Sequence, residues 1–118
     1  RGNQKTKVTL NLDVIPEGFR SASLDTAALQ ESLGDAGTVL DLTGCTLEQV
    51  LYQVSAQRPV IVSLGENDNR VIVGYDGYNT LLYDPATGET EYKGLGDSTR
   101  EFEAAGNRFI SYIETLPE

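Results

Sequence analysis

The chain has 118 residues and a formal net charge of −9, with one Cys and no His, Met or Trp. Without His it holds no Ser-His-Asp or Cys-His pair, no imidazole zinc ligand and no imidazole proton switch, and one Cys forms neither an internal disulfide nor a thiolate metal cluster. The negative surplus, with no Lys/Arg cluster to counter it locally, repels phosphates and anionic lipid, so nucleic acid is not an expected partner.

The length predicts a single domain over residues 1–118, able to bury about two-thirds of the surface its unfolded chain exposes. No apolar run approaches the roughly 20 residues of a membrane span, and no signal-peptide pattern opens the chain. A start at Arg1 with no Met anywhere reads as a piece of a larger protein.

In chain order, Lys7 to Val14 sets Val8, Leu10, Leu12 and Val14 at alternate positions, the period of a half-buried strand. Pro16, Glu17 and Gly18 break it. Ser23 to Leu33 predicts a short helix carrying Leu24, Ala27, Ala28 and Leu33, closed by Gly34. Thr38 to Leu42 reads as a brief extended segment. The clearest helix is Leu47 to Ala56, because Leu47, Val50, Leu51 and Val54 fall at i, i+3, i+4 and i+7 and so form one stripe. Thr46 and Gln49 have capping-box spacing at its start, and Cys45 is placed to meet Val50 as a hydrophobic staple.

Pro59 opens a strand over Val60-Ile61-Val62, and a polar loop from Gly65 to Asn69 leads to Val71-Ile72-Val73. Continuous apolar runs of this kind predict strands covered on both faces. Asp76-Gly77 is a hairpin signal, expected as a tight primed turn joining Val71–Tyr75 to Thr80–Tyr83. A second turn, Asp84 to Gly88, leads to a strand over Glu89–Lys93. Ser98 and Glu101 have capping-box spacing for a helix through Phe102 and Ala105, ended by Gly106. Arg108 to Glu114 reads as the last strand. The order predicts an α+β domain: one twisted, mostly antiparallel sheet of about five or six strands with two or three helices.

Few of these residues carry chemistry. A thiol beside a helix N-terminus can be activated, but Cys45 has no imidazole to work with, and the staple accounts for a small apolar residue there. Glu66, Asp68, Asp76 and Asp84 lie on loops at strand ends where a cation or an acid/base pair can be built. The loop lacks EF-hand spacing and ends in Arg70, which opposes metal binding, so these carboxylates read as solvated loop and turn residues, and no metal or other cofactor is expected. Tyr75, Tyr78, Tyr83, Tyr92 and Tyr112 fall in the sheet region and could line a groove, although aromatic residues favour strands anyway.

The segment Leu47 to Pro85, with its helix, Pro59-Val60-Ile61-Val62, Val71-Ile72-Val73-Gly74-Tyr75-Asp76 and Asp84-Pro85, resembles the C-terminal half of bacterial papain-like cysteine peptidases. The likeness is greatest to the type that processes bacteriocin leaders after double glycine, and to its uncharacterised relatives. It covers roughly residues 44–86, extends more weakly to Glu114, and implies a peptidase-like core over about 44–114 with the fold of that lobe. By the resemblance, Asp84 matches the acid that orients the catalytic His, and Asp68 stands where the His itself is expected, six residues before Gly74. An aspartate is ionised and acceptor-only at neutral pH and cannot shuttle a proton as an imidazole does. Cys45 lies ahead of the wrong helix to match the nucleophile.

The resemblance therefore implies a non-catalytic, peptidase-related binding or interaction domain of a bacterial surface or secreted protein. Its expected partner is a peptide or protein, held between the helix of residues 46–56 and the loop of residues 65–70, with Asp68, Tyr75 and Asp84 nearby. Two alternatives stand beside this reading: part of an active cysteine peptidase whose nucleophile lies upstream, and a structural spacer without a ligand.

Overall fold

A computed structural model of the chain describes residues 7–65 and 68–114. These form seven strands and four α-helices: β1 (Val8–Thr9), α1 (Glu17–Arg20), α2 (Thr26–Leu33), β2 (Gly37–Asp41), α3 (Leu47–Ser55), β3 (Val60–Ser63), β4 (Asn69–Tyr75), β5 (Asn79–Asp84), β6 (Glu89–Gly94), α4 (Leu95–Ala104) and β7 (Phe109–Glu114). One sheet runs β2-β7-β3-β4-β5-β6, with β1 added to β4, and every pair is antiparallel. This is the α+β architecture that the order of elements predicts, with one strand and one short helix more than expected. No helix among the described residues is long and apolar enough to cross a membrane.

The sheet separates two cores. Val60, Val62, Ile72 and Leu82 face α3 and α4, packing with Leu47, Val50, Val54, Phe102 and Phe109. Ile61, Val71, Val73 and Leu81 face the N-terminal segment, packing with Leu10, Ile15, Phe19, Leu29 and Tyr112. The runs at 60–62 and 71–73 are thus buried on both faces, as their continuous apolar character requires.

The α3 expectations hold in detail. Thr46 Oγ1 accepts from the Gln49 N–H (3.2 Å), Gln49 Oε1 accepts from the Thr46 N–H (2.9 Å), and Cys45 packs on the cluster that contains Val50. A buried amide, not visible as a signal in the sequence, ties α3 to β7. Gln53 Nε2 donates to Ser111 Oγ (3.0 Å) and the Tyr112 carbonyl (2.9 Å), while its Oε1 accepts from Arg58 (2.8 Å).

Other expectations are corrected. The strand predicted over Lys7–Val14 stops at Thr9. Leu10 donates its N–H to the Val73 carbonyl (2.8 Å), and the Asn11 side chain then caps a 3₁₀ turn over Leu12–Val14, leaving Val14 72% exposed. Alternation in this stretch therefore reflects a two-residue strand followed by a turn. Pro16-Glu17-Gly18 does not simply break the chain: Pro16 (φ −55°) is the N-cap residue of the one-turn helix α1. The helix predicted from Ser23 begins at Thr26, because Asp25 provides the cap, accepting from the N–H groups of Ala27 (3.0 Å) and Ala28 (3.2 Å). It ends, as expected, at Gly34 with φ +60°.

The Ser98 capping box is also absent. Helix α4 starts four residues earlier than that cap implies, at Leu95, and Ser98 is a fully buried interior residue whose hydroxyl meets Thr80 Oγ1 on β5 (2.9 Å). Gly106, at φ +95°, lies just past the helix end as predicted. The β4–β5 hairpin forms, but neither Asp76 nor Gly77 takes a positive φ. The Asp76 carboxylate holds the turn instead, accepting from the N–H groups of Tyr78 and Asn79, both at 2.8 Å. Those bonds keep its pKa below the ordinary carboxylate value.

Gly74 has a steric reason. A Cβ there would run into the Val8 carbonyl and come within 3.2 Å of Thr9 Cα, so only glycine lets β1 lie against β4. The register of β4 against β5 shifts between Ile72 and Gly74 at the same place.

Candidate functional site

At the end of β5, Asp84 opens a tight turn. Its Oδ1 accepts from the Ala86 N–H (2.9 Å) and its carbonyl accepts from Gly88 (2.7 Å), which fixes the side chain at the sheet's end. Asp68 closes the preceding loop by exchanging backbone hydrogen bonds with Leu64 and Gly65. Since Val71 pairs with Tyr83, Arg70 on β4 stands across from Asp84. The guanidinium lies between carboxylates, with Nε 3.1 Å from Asp68, one terminal nitrogen 3.7 Å from Asp84 and the other 3.9 Å from Glu91. Arg70 is 18% exposed at its side chain, Asp84 25% and Asp68 48%, so the cation is the most enclosed member of the group.

The third wall comes from the N-terminal segment. Asn69 Nδ2 donates to the carbonyl of Ala22 (3.2 Å), which is buried and held at φ +60°, an uncommon conformation for a residue with a Cβ. Ser21, Ala22, Asp68, Asn69, Asp84 and Pro85 surround a depression of about 410 Å³. The Ser21 hydroxyl donates to the Gly18 carbonyl (3.0 Å), within its own turn, and not to a carboxylate. Two acceptors and a guanidinium are thus assembled, with no base paired to a nucleophile among the described residues.

The structure sets Asp68 and Asp84 about the same Arg70, in surroundings that differ from those the resemblance implies. Helix α3 packs on Val60, Val62, Ile72 and Leu82 and does not line the depression, which lies against Ser21–Ala22 instead. Tyr75 is at the far end of β4, six residues and about 20 Å from Asn69 at the usual strand rise. It packs on the α3/α4 core while Tyr83 packs on the opposite one, so the tyrosines do not share a groove. Tyr112 is buried beside Phe19, with ring centroids 4.9 Å apart, whereas Tyr78 and Tyr92 are exposed. Cys45 follows Gly44, whose N–H bonds to Asn107 just before β7 (2.9 Å). Strand β3 intervenes between β7 and β4, a separation of about 10 Å. Glu66 lies outside the described residues.

Sequence reasoning missed Arg70 as the centre of the group and Ser21–Ala22 as its wall. The first had a signal, a lone cation between acidic positions at strand ends. The second had none, since a left-handed alanine follows only from where the chain must turn.

No protein-family model matches the sequence, and no curated protein matches it. Among solved structures, the chain is similar to a candidate C39-like peptidase from Bacillus anthracis, with a TM-score of 0.64 at 18% identity over 78% of this chain. The match spans 58% of that structure's chain. The fold is thus that of a papain-like peptidase.

Proposed function

We propose that this chain is a pseudoenzyme of the papain-like peptidase group, related to the bacteriocin-leader-processing type, that serves as a non-catalytic binding or interaction domain of a bacterial surface or secreted protein. The observation that carries this reading is Arg70, set between Asp68 and Asp84 where peptide cleavage requires a group that takes up and returns a proton. A guanidinium stays protonated and cannot act as a base. The chain has no His to replace it, and the hydroxyl in the depression, Ser21, is bound to a carbonyl. The degenerate positions, the bacterial source and the surface setting rest on the resemblance around Gly74-Tyr75-Asp76 and Asp84-Pro85.

Mass-spectrometric assay of the purified chain on a peptide library that includes double-glycine leaders tests the reading. No cleavage is expected from the chain, nor from the Asp68→His variant alone, since a new imidazole would still lack a thiol. Hydrolysis abolished by thiol alkylation would overturn it. In parallel, peptides of the same library that bind are expected to raise the melting temperature, because a ligand of the folded state alone stabilises it. Binding by none would favour a structural spacer.

A further inference from the structure

The two edges of the sheet are finished differently. At β2 a side chain takes the place of a further strand: Gln30 Nε2 donates to the Gly37 carbonyl (2.9 Å) and Gln30 Oε1 accepts from the Val39 N–H (3.0 Å). At β6 no such substitute exists among the described residues. Strand β6 pairs with β5 alone, through Thr80↔Lys93, Leu82↔Glu91 and Asp84↔Glu89. The Leu95 N–H continues this ladder to the Tyr78 carbonyl (2.9 Å), so the odd-numbered residues turn their backbone groups inward. Alternation then points the N–H and C=O of Thr90 and Tyr92 outward. Residues 89–92 are exposed, and an open run of this kind is a template for another strand.

The side chains beside this edge sort by face. Thr90 and Tyr92, opposite Tyr83 and Leu81, lie on the N-terminal side. Tyr92 is 52% exposed, and Thr90 borders a groove lined by Leu10, Leu12, Val73 and Leu81, with Asn11 and Asp13 at its wall. Glu89 and Glu91 lie on the other face, on a chain of net charge −9.

We propose that the β6 edge docks an extended segment of a partner protein in which basic and apolar side chains alternate. The basic ones would meet Glu89 and Glu91, the latter 62% exposed and no nearer than 3.9 Å to Arg70, and the apolar ones would cover Tyr92 and the groove beside Thr90. A second copy of this chain fits less well. Pairing two β6 strands about Glu91 or Thr90 sets glutamate against glutamate, and pairing about Tyr92 calls on Lys93, already held by Glu101 (3.0 Å). The proposal does not rest on the reading of Asp68 and Asp84, which lie at the end of the sheet.

The test is a ¹⁵N–¹H NMR titration of the chain with the peptide acetyl-Val-Lys-Leu-Lys-Val-amide and with its counterpart carrying Glu for Lys. Saturable shifts at the Thr90 and Tyr92 amides are expected, with the Lys peptide binding about ten-fold tighter, the sum of two modest charge contacts. Thr90→Pro removes an outward N–H without touching the β5 ladder and is expected to abolish the peptide-induced shift at the remaining Tyr92 amide. Glu89→Lys, which keeps every backbone group, should narrow the preference between the peptides. Shifts confined to residues 68–70 and 84–86, equal response to both peptides, or no response at millimolar peptide would overturn the proposal. So would concentration-dependent shifts at Thr90 and Tyr92 without peptide, which would assign the edge to a second copy.

Discussion

On the α3/α4 side of the sheet, regular helices lay apolar stripes over Val60, Val62, Ile72 and Leu82, and Phe102 meets Phe109 edge-on with ring centroids 5.9 Å apart. On the opposite side, turns and two short helices bring Leu10, Ile15, Phe19 and Leu29 over Ile61, Val71 and Val73, at the cost of a left-handed Ala22. Both sides are fully buried at their centres, so the difference lies in how burial is achieved. A helix imposes a period on its buried residues. An irregular segment is buried wherever the chain is led, and it leaves gaps at its rim. The depression at Asp68 and Asp84 is one such gap, placed where the turn after α1 meets the ends of β4 and β5.

This contrast can be broken by mutation. Phe102→Ala removes a fully buried ring between rigid elements and is expected to cost about 3–5 kcal/mol in urea unfolding, because the cavity cannot close. Phe19→Ala, equally buried but on a one-turn helix able to settle inward, should cost less, and the reverse order would end the distinction between the faces. Gly74→Ala should cost about 1–3 kcal/mol through overpacking against Val8 and Thr9. Its hydrogen-exchange signature should be lost protection at residues 8–10 with α3 unchanged. Equal loss in α3 would show that the two cores open together.

Smaller effects probe the ties between elements. Gln53→Leu takes a buried donor from Ser111 and the Tyr112 carbonyl and leaves Arg58 only Glu114 as acceptor, and is expected to cost about 1–2 kcal/mol, read by thermal and urea unfolding. At the rim, Arg70→Met leaves Asp68 and Asp84 without their shared cation and should cost about 1 kcal/mol, less at high salt because both acids are partly exposed. The smallest effect is one of pH. Asp76 titrates below the ordinary 3.8 because the N–H groups of Tyr78 and Asn79 bind its charged form. Its contribution is thus present above that value and is lost as pH falls through the lower folded one. Asp76→Asn keeps an acceptor, so melting temperature at neutral pH should hardly move while its fall in acid becomes shallower. An unchanged acid limb would remove Asp76 from the account.

Helix α3 was legible down to its capping box, since cap and stripe are local and recur at fixed spacing. The strands at 60–62 and 71–73 were legible for the same reason. Ser98 misled because Ser-x-x-Glu spacing can occur within a helix. Asp76-Gly77 misled because one carboxylate can build a turn that positive φ angles would otherwise make. At the site, Asp68 and Asp84 could be set near each other from the resemblance, but Tyr75 could not be excluded, because a Gly-Tyr-Asp and Asp-Pro motif does not state that β4 carries Tyr75 to the other end of the sheet.

The sequence by itself determined the elements with a period or a cap, the double burial of β3 and β4, and the absence of any imidazole, which removes the usual proton carrier of a thiol peptidase. Only the tertiary structure decided that Arg70 fills the space between the two acids, that Ser21 and Ala22 face them, and that one sheet edge is closed by Gln30 while the other is left open by the described residues. Those facts depend on strand register and chain reversal. Both are set by contacts between residues far apart in the sequence, and such contacts leave no local pattern to read.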